Sequence, residues 1–307
     1  MPDDKPVLIE AVINGVANPE FNPHVPSNSE EIRDDILACF EAGASMVHNH
    51  AGNDAKDPSG LDSYLASWAP VLERFPGAIL YPTIGSSGSV GERFGHLSVL
   101  AERGMLRVGA IDAGSTNLGV RDEEGVPLPS ESVYANSYAY IAEAIAFCHQ
   151  YELATTFAIF EPTFLHTVIA YHRAGRLPRG SWLKFYFGGA GGYAGSAPRE
   201  RLMAFGLPPT PKALDAYLEI MEGCDMPWGV SACGADVVGC GIARTALERG
   251  GHVHVGLEMY EGERQATNRE LVEEVVSLCK EVGRPPLPWN ETAEFLGFSK
   301  SLTQTDS

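Results

Sequence analysis

Two histidines one residue apart, His48 and His50, carry the sharpest chemical signal in the sequence. They close the segment Met46-Val47-His48-Asn49-His50, whose apolar start reads as a β-strand. Residues two apart in a strand point to the same side, so both imidazoles project together and can present two nitrogens to one metal ion. Taken alone, the pair reads equally well as two ordinary polar histidines. A third ligand comes from His252-Val253-His254-Val255-Gly256-Leu257-Glu258, where alternate residues share a face and Glu258 lies at the C-terminal end. By itself Glu258 would read as a strand-end cap or ion-pair partner; beside the histidine pair it reads as the carboxylate ligand. Two nitrogens and one carboxylate leave an open coordination position, the composition of a catalytic zinc site. The same set also suits non-haem iron. His254, one layer deeper on that face, reads as a fourth ligand, a substrate contact or a general base. His252 is deeper still and reads as structural. His24, His96, His149, His166 and His172 have no partner at useful spacing and read as surface or packing residues.

The elements that must position these groups alternate strictly. Short apolar runs occur at 7–13, 45–50, 78–84, 106–111, 155–161, 182–187, 228–233 and 252–258. Helical patterns fill the intervals at 29–42, 61–75, 91–103, 132–152, 163–174, 211–221, 236–249 and 267–282. Strands alternating with helices imply parallel pairing through right-handed crossovers. Eight such units in this length point to an α/β fold, a (β/α)8 TIM barrel forming a single domain over 1–307, with 1–6 and 300–307 as tails. An open doubly wound sheet is the alternative. In a closed barrel the eighth strand neighbours the first and the first neighbours the second, which brings Glu258 to the mouth that holds His48 and His50. Ser29-Glu30-Glu31 places a cap and negative charge at a helix start, and Gly43 can end that helix. The Gly- and Pro-rich stretch 188–210 reads as a functional loop or lid after the sixth strand, and the glycines at 188, 189, 191 and 192 read as loop flexibility in preference to a phosphate cradle.

Composition narrows the function classes. The formal charge is -18, so a nucleic-acid partner is not expected, because such a surface repels phosphate backbones. No stretch has the apolar length to span a bilayer, so no membrane partner is expected either. The start, Met-Pro-Asp-Asp-Lys, lacks the apolar centre of a signal peptide, which makes the cytoplasm the expected location. Six scattered cysteines (39, 148, 224, 233, 240 and 279), none in a Cys-x-x-Cys pair, read as buried thiols.

At these residues the sequence resembles the β-keto acid cleavage enzyme family. The resemblance rests on Ala11-Val12-Ile13-Asn14-Gly15, on Glu41-Ala42-Gly43-Ala44 leading into His48-Asn49-His50, and on Asp112-Ala113-Gly114-Ser115-Thr116-Asn117. It continues through the long run from Ala246 to Glu258 and through Val282-Gly283-Arg284-Pro285. The resemblance implies a TIM barrel that assembles as a homotetramer, with one Zn2+ per chain on two histidines and a glutamate. It implies an acyl transfer in which a small-molecule β-keto acid is cleaved with acetyl-CoA, giving acetoacetate and a new acyl-CoA. It further implies that Thr83 contacts the substrate carboxylate and that Asn14, Asp112 and Ser115 bind substrate. Glu161 stands where the family has an acid and is an acid/base candidate with His254, although capping the helix that begins at Pro162 is an equal reading.

This chain also departs from the family pattern. The family commonly has Arg at the position of His254 and Asp at the position of Met259, and some members have an acid at Ala17. Histidine cannot reproduce a bidentate guanidinium clamp, and methionine cannot accept a proton. Either His254 and Glu161 take over, or the substrate differs. The alternatives are therefore a CoA-independent metal-dependent C–C lyase or hydrolase, and a non-catalytic zinc barrel that senses a metabolite.

Overall fold

Eight short strands, each apolar enough to be buried, run parallel in one sheet. The computed structural model describes residues 5–298 apart from 16, 132, 190–191 and 193–200. The strands are β1 (Ile9–Val12), β2 (Met46–Asn49), β3 (Leu80–Pro82), β4 (Val108–Asp112), β5 (Ala154–Ile159), β6 (Trp182–Gly188), β7 (Trp228–Cys233) and β8 (His252–Val255). Between and after them come α1 (Ser29–Ala42), α2 (Leu61–Arg74), α3 (Val90–Glu102), α4 (Tyr138–Gln150), α5 (Pro162–Arg173), α6 (Pro211–Ile220), α7 (Ile242–Glu248), α8 (Asn268–Val282) and a final turn, α9 (Thr292–Phe295). The ladder order is β3-β2-β1-β8-β7-β6-β5-β4, and the outer strands β3 and β4 lie against each other. The sheet is thus a nearly closed (β/α)8 barrel. Strand β1 sits between the two ligand-bearing strands, with Val12 level with His48 of β2 and Glu10 level with His254 of β8.

Local chemistry explains the helix ends. The α1 cap is Asn28, one residue before the serine expected to do this; its side chain accepts from the amides of Glu30 and Glu31. Gly43 closes the helix in the left-handed region. Thr267 and Glu270 form a reciprocal capping box that starts α8, which then packs on α1 and β1.

Two expected helices start late. Helix α4 begins at Tyr138, because the preceding chain makes antiparallel bridges, Thr116 with Tyr134 and Arg121 with Pro127, after β4. Helix α7 begins at Ile242, because Asp236 turns the chain by accepting from the amides of Val238 and Gly239. The expected tail 300–307 and part of the supposed lid at 188–210 (190–191 and 193–200) lie outside the described residues. None of the six cysteines is in a disulfide; Cys39, Cys148, Cys233 and Cys279 are buried, whereas Cys240 is exposed, against the expectation of buried thiols throughout. No helix among the described residues is long and apolar enough to cross a membrane.

Arg284, 1% exposed, closes the bottom of the barrel. Its guanidinium donates to the carbonyls of Lys5, Leu247 and Gly251, joining the N-terminal strand to the end of α7. Arg284→Leu would strand these carbonyls and is expected to lower unfolding free energy by about 3 kcal/mol in a denaturant titration. A second linkage is pH-dependent. Burial raises the Asp35 pKa to about 7, partly opposed by the hydrogen bond from Asn268. The folded state therefore holds that proton more tightly than the unfolded chain, so this group's contribution to stability is lost as pH rises from about 4 through 7. Asp35→Asn is expected to flatten the melting-temperature profile over that interval.

Candidate metal centre

Three side chains from two strand ends converge at the mouth of the barrel. His48 is the third residue of β2, and His50 lies one residue past the strand's end. Between them Asn49 points the other way, where the Trp68 indole donates to it and fixes the strand end. His50 is clamped through its backbone: Asn14 accepts from its amide at 2.8 Å and donates to its carbonyl at 3.3 Å.

Glu258 reaches the site by a turn, not along a strand face. Strand β8 stops at Val255, and Gly256 takes φ 150°, with Val12 so close that a Cβ there would lie 2.1 Å from its carbonyl oxygen. The Glu258 amide then donates to that same carbonyl at 3.1 Å. Asn268 staples the two strand ends, donating to Ile13 and accepting from Leu257, each at 2.8 Å. Gly15, at φ 50°, leaves the space that the Glu258 side chain fills: a Cβ on residue 15 would meet its Cγ at 2.0 Å.

The resulting geometry suits a shared ion. The Nε2 atoms of His48 and His50 lie 3.4 and 3.5 Å from the two Glu258 oxygens, and one ligand atom from each residue falls within 4.8 Å of the others. Direct charge-assisted hydrogen bonds would be nearer about 2.8 Å. Two atoms bound tetrahedrally at about 2.0–2.1 Å from one ion sit roughly 3.4 Å apart. The His48 Nδ1 lies 3.2 Å from the Tyr81 carbonyl, a contact that fixes the tautomer with Nε2 free to bind metal. Burial pushes the His48 pKa down to about 3, leaving a neutral imidazole. Burial opposes ionisation of Glu258, but His48 and His50 facing it outweigh burial and hold it below the usual carboxylate range. A neutral imidazole at His48 and an ionised carboxylate at Glu258 are protonation states that suit a divalent ion. His254 remains one layer below and is not part of the three-residue group.

The triad lines one wall of a cavity of about 50 Å³. Thr83 and Asp112 line it too, as does Phe160. Burial raises the Asp112 pKa against a hydrogen bond from the Tyr134 hydroxyl. The other expected site residues lie elsewhere. Asn14 spends its polar atoms on His50, Gly15 and Pro26. Ser115 is exposed, accepting from the Asn136 amide at 2.8 Å. Glu161 stands at the N-cap position of α5 but its side chain makes no capping bond to the helix; its Oε1 accepts instead from the Gly206 amide at 3.0 Å. His254 is fully buried against Tyr186, its Nε2 3.3 Å from Glu10. His96, expected to lack a partner, lies 2.8 Å from the Thr83 carbonyl. His252 is structural, its Nδ1 accepting from the Leu8 amide at 3.0 Å.

Sequence reasoning missed Glu10 and Lys184. Each is a charge inside an otherwise apolar strand, in Leu-Ile-Glu-Ala-Val and Trp-Leu-Lys-Phe-Tyr, and that interruption was the available signal. Burial alone would raise the Glu10 pKa, but Lys184, His254 and the Tyr81 hydroxyl hold it down to about 2.

A profile described as beta-keto acid cleavage enzyme matches residues 6–298. The chain belongs to the beta-keto acid cleavage enzyme family. Among its relatives, the 3-keto-5-aminohexanoate cleavage enzyme of Acetoanaerobium sticklandii is 26% identical, covering 97% of this chain and all of its own. The 3-oxoadipate:acetyl-CoA acetyltransferase of Cupriavidus necator is 27% identical over 96% of this chain and 95% of its own. Among solved structures, ObcA in ternary complex with a C4-CoA adduct and oxalate superposes with a TM-score of 0.64 at 14% identity. That match covers 90% of this chain and 68% of ObcA, and it supports the fold alone.

Gly15→Ala is expected to push Glu258 off the two histidines. Circular dichroism should stay unchanged, while affinity for zinc, measured by competition with a chromogenic chelator, falls about 10–100-fold.

Proposed function

We propose that this chain carries out zinc-dependent cleavage of a β-keto acid by acyl transfer with acetyl-CoA, releasing acetoacetate and a new acyl-CoA. The supporting observation is the convergence of His48, His50 and Glu258 on one point in a cavity wall, in a member of this family. Acetyl-CoA as the second substrate is supported by the name of the Cupriavidus necator relative. A homotetrameric assembly is proposed on family membership alone.

When bound, a divalent ion supplies Lewis-acid stabilisation of the negative charge that develops at a ketone oxygen as the neighbouring carbon–carbon bond breaks. The chain's own residues do the rest. His48, His50 and Glu258 hold the ion, and the Tyr81 carbonyl and Asn14 hold the histidines. The Thr83 hydroxyl and Asp112 face the same cavity and offer hydrogen bonds to a bound carboxylate or carbonyl. Asp112, whose pKa burial raises and whose carboxylate accepts from the Tyr134 hydroxyl, stands at the cavity wall, and Glu161 is not among the described lining residues. Phe160 and Tyr186 give the cavity aromatic walls, and polar contacts are stronger beside such low-polarity surfaces.

The reading is tested by incubating zinc-loaded protein with a panel of β-keto acids and acetyl-CoA labelled in the acetyl group. Labelled acetoacetate is expected, with Glu258→Gln and His48→Ala reducing kcat by on the order of 10³-fold. Cleavage that proceeds equally without acetyl-CoA would overturn it in favour of a CoA-independent lyase.

A further inference from the structure

Two opposite charges lie inside the barrel below the metal centre. Glu10 of β1 is fully buried and Lys184 of β6 is 3% exposed. The Lys184 Nζ donates to the Tyr81 hydroxyl at 2.8 Å, and that hydroxyl in turn donates to Glu10 Oε1. Nζ itself stands 3.4 Å from the same oxygen, well beyond the roughly 2.8 Å of a full charge-assisted bond. Glu10 and Tyr81 therefore aim the ammonium without saturating it. An ammonium carries three hydrogens; Tyr81 takes one and Glu10 at most a second. The Tyr81 and Tyr186 rings flank Nζ, with centroids at 5.2 and 5.6 Å, and restrict where the remaining hydrogen can point.

Lys184 lines the cavity that His48, His50 and Glu258 line, and among its described lining residues it is the sole amine or guanidinium.

We infer that Lys184 seats the substrate's carboxylate: its ammonium, aimed by Tyr81 and Glu10, gives its remaining N–H to an anionic oxygen and selects β-keto acids over neutral ketones. This rests on the cavity being the keto-acid site.

The test is calorimetric binding of acetoacetate and of its neutral isostere acetoacetamide to the zinc-loaded protein. Wild type is expected to prefer acetoacetate by roughly 10–100-fold, the size of one hydrogen bond to a charged group. Lys184→Met is expected to reduce that preference to within about threefold, with zinc content by elemental analysis unchanged, and Lys184→Arg to retain most of it. Because methionine leaves Glu10 buried without its cation, Glu10→Gln/Lys184→Met is measured alongside, with circular dichroism as the folding check, and should show the same loss. A preference that survives in both variants, or its absence in wild type, overturns the inference. So does borohydride trapping of acetoacetate on Lys184, which would mean an imine and not an ion pair. If the preference follows Lys184 but no acetyl transfer occurs, the reaction proposed above fails and the carboxylate seat stands.

Discussion

Glu258 is a carboxylate 2% exposed at the mouth of a barrel, and an ionised group in that position costs several kcal/mol unless positive charge meets it. The neighbours facing it most closely are two imidazoles, one of which burial keeps neutral. A divalent ion held among the three would resolve the electrostatics. Much of the local architecture answers to that requirement. Gly15 makes room for the side chain, Gly256 lets the chain turn tightly beside Val12, Asn268 ties the two strand ends, and the Tyr81 carbonyl sets the His48 tautomer.

The barrel was legible because its signal is repetitive. Each apolar run is bounded by its own turn chemistry, and eight consistent repeats outweigh an error at any single boundary. The start of α4 slipped for a non-local reason. The segment before Tyr138 has helix-compatible residues, but Asn136 donates to Gly114 and through its amide to Ser115, folding it back over β4. Such hydrogen bonds join residues about twenty positions apart and leave no local period.

The metal triad was legible for a partly different reason. His-x-His parity places two ligands on one side, as the structure shows for His48 and His50. Glu258 meets them although the parity argument does not apply to it, since β8 ends three residues earlier and a glycine turn delivers the side chain. Asn14 and Glu161 illustrate the limit of reading roles from type and position. Both are polar residues near the mouth, yet one anchors His50 and the other accepts from the backbone amide of Gly206. Which way a side chain is spent depends on backbone donors that a sequence does not display.

Beneath the ligands lies a second polar layer, Glu10, Tyr81, Lys184 and His254, contributed by four strands. Its members lie far apart in sequence and become neighbours only when the barrel closes, which is why no spacing argument finds them. The two layers divide the chemistry, with the upper one arranged for an ion and the lower one presenting a cation. On β8 and just beyond it, His254 stacks on Tyr186 and Met259 packs against Cys233.

Anomalous X-ray diffraction from zinc-loaded crystals, recorded on both sides of the zinc absorption edge, addresses the triad directly. One strong peak should lie within about 2.0–2.2 Å of Nε2 of His48, Nε2 of His50 and a Glu258 oxygen. No peak there, or a peak coordinated by other side chains while these three keep hydrogen-bonding one another, would contradict a metal centre at this mouth.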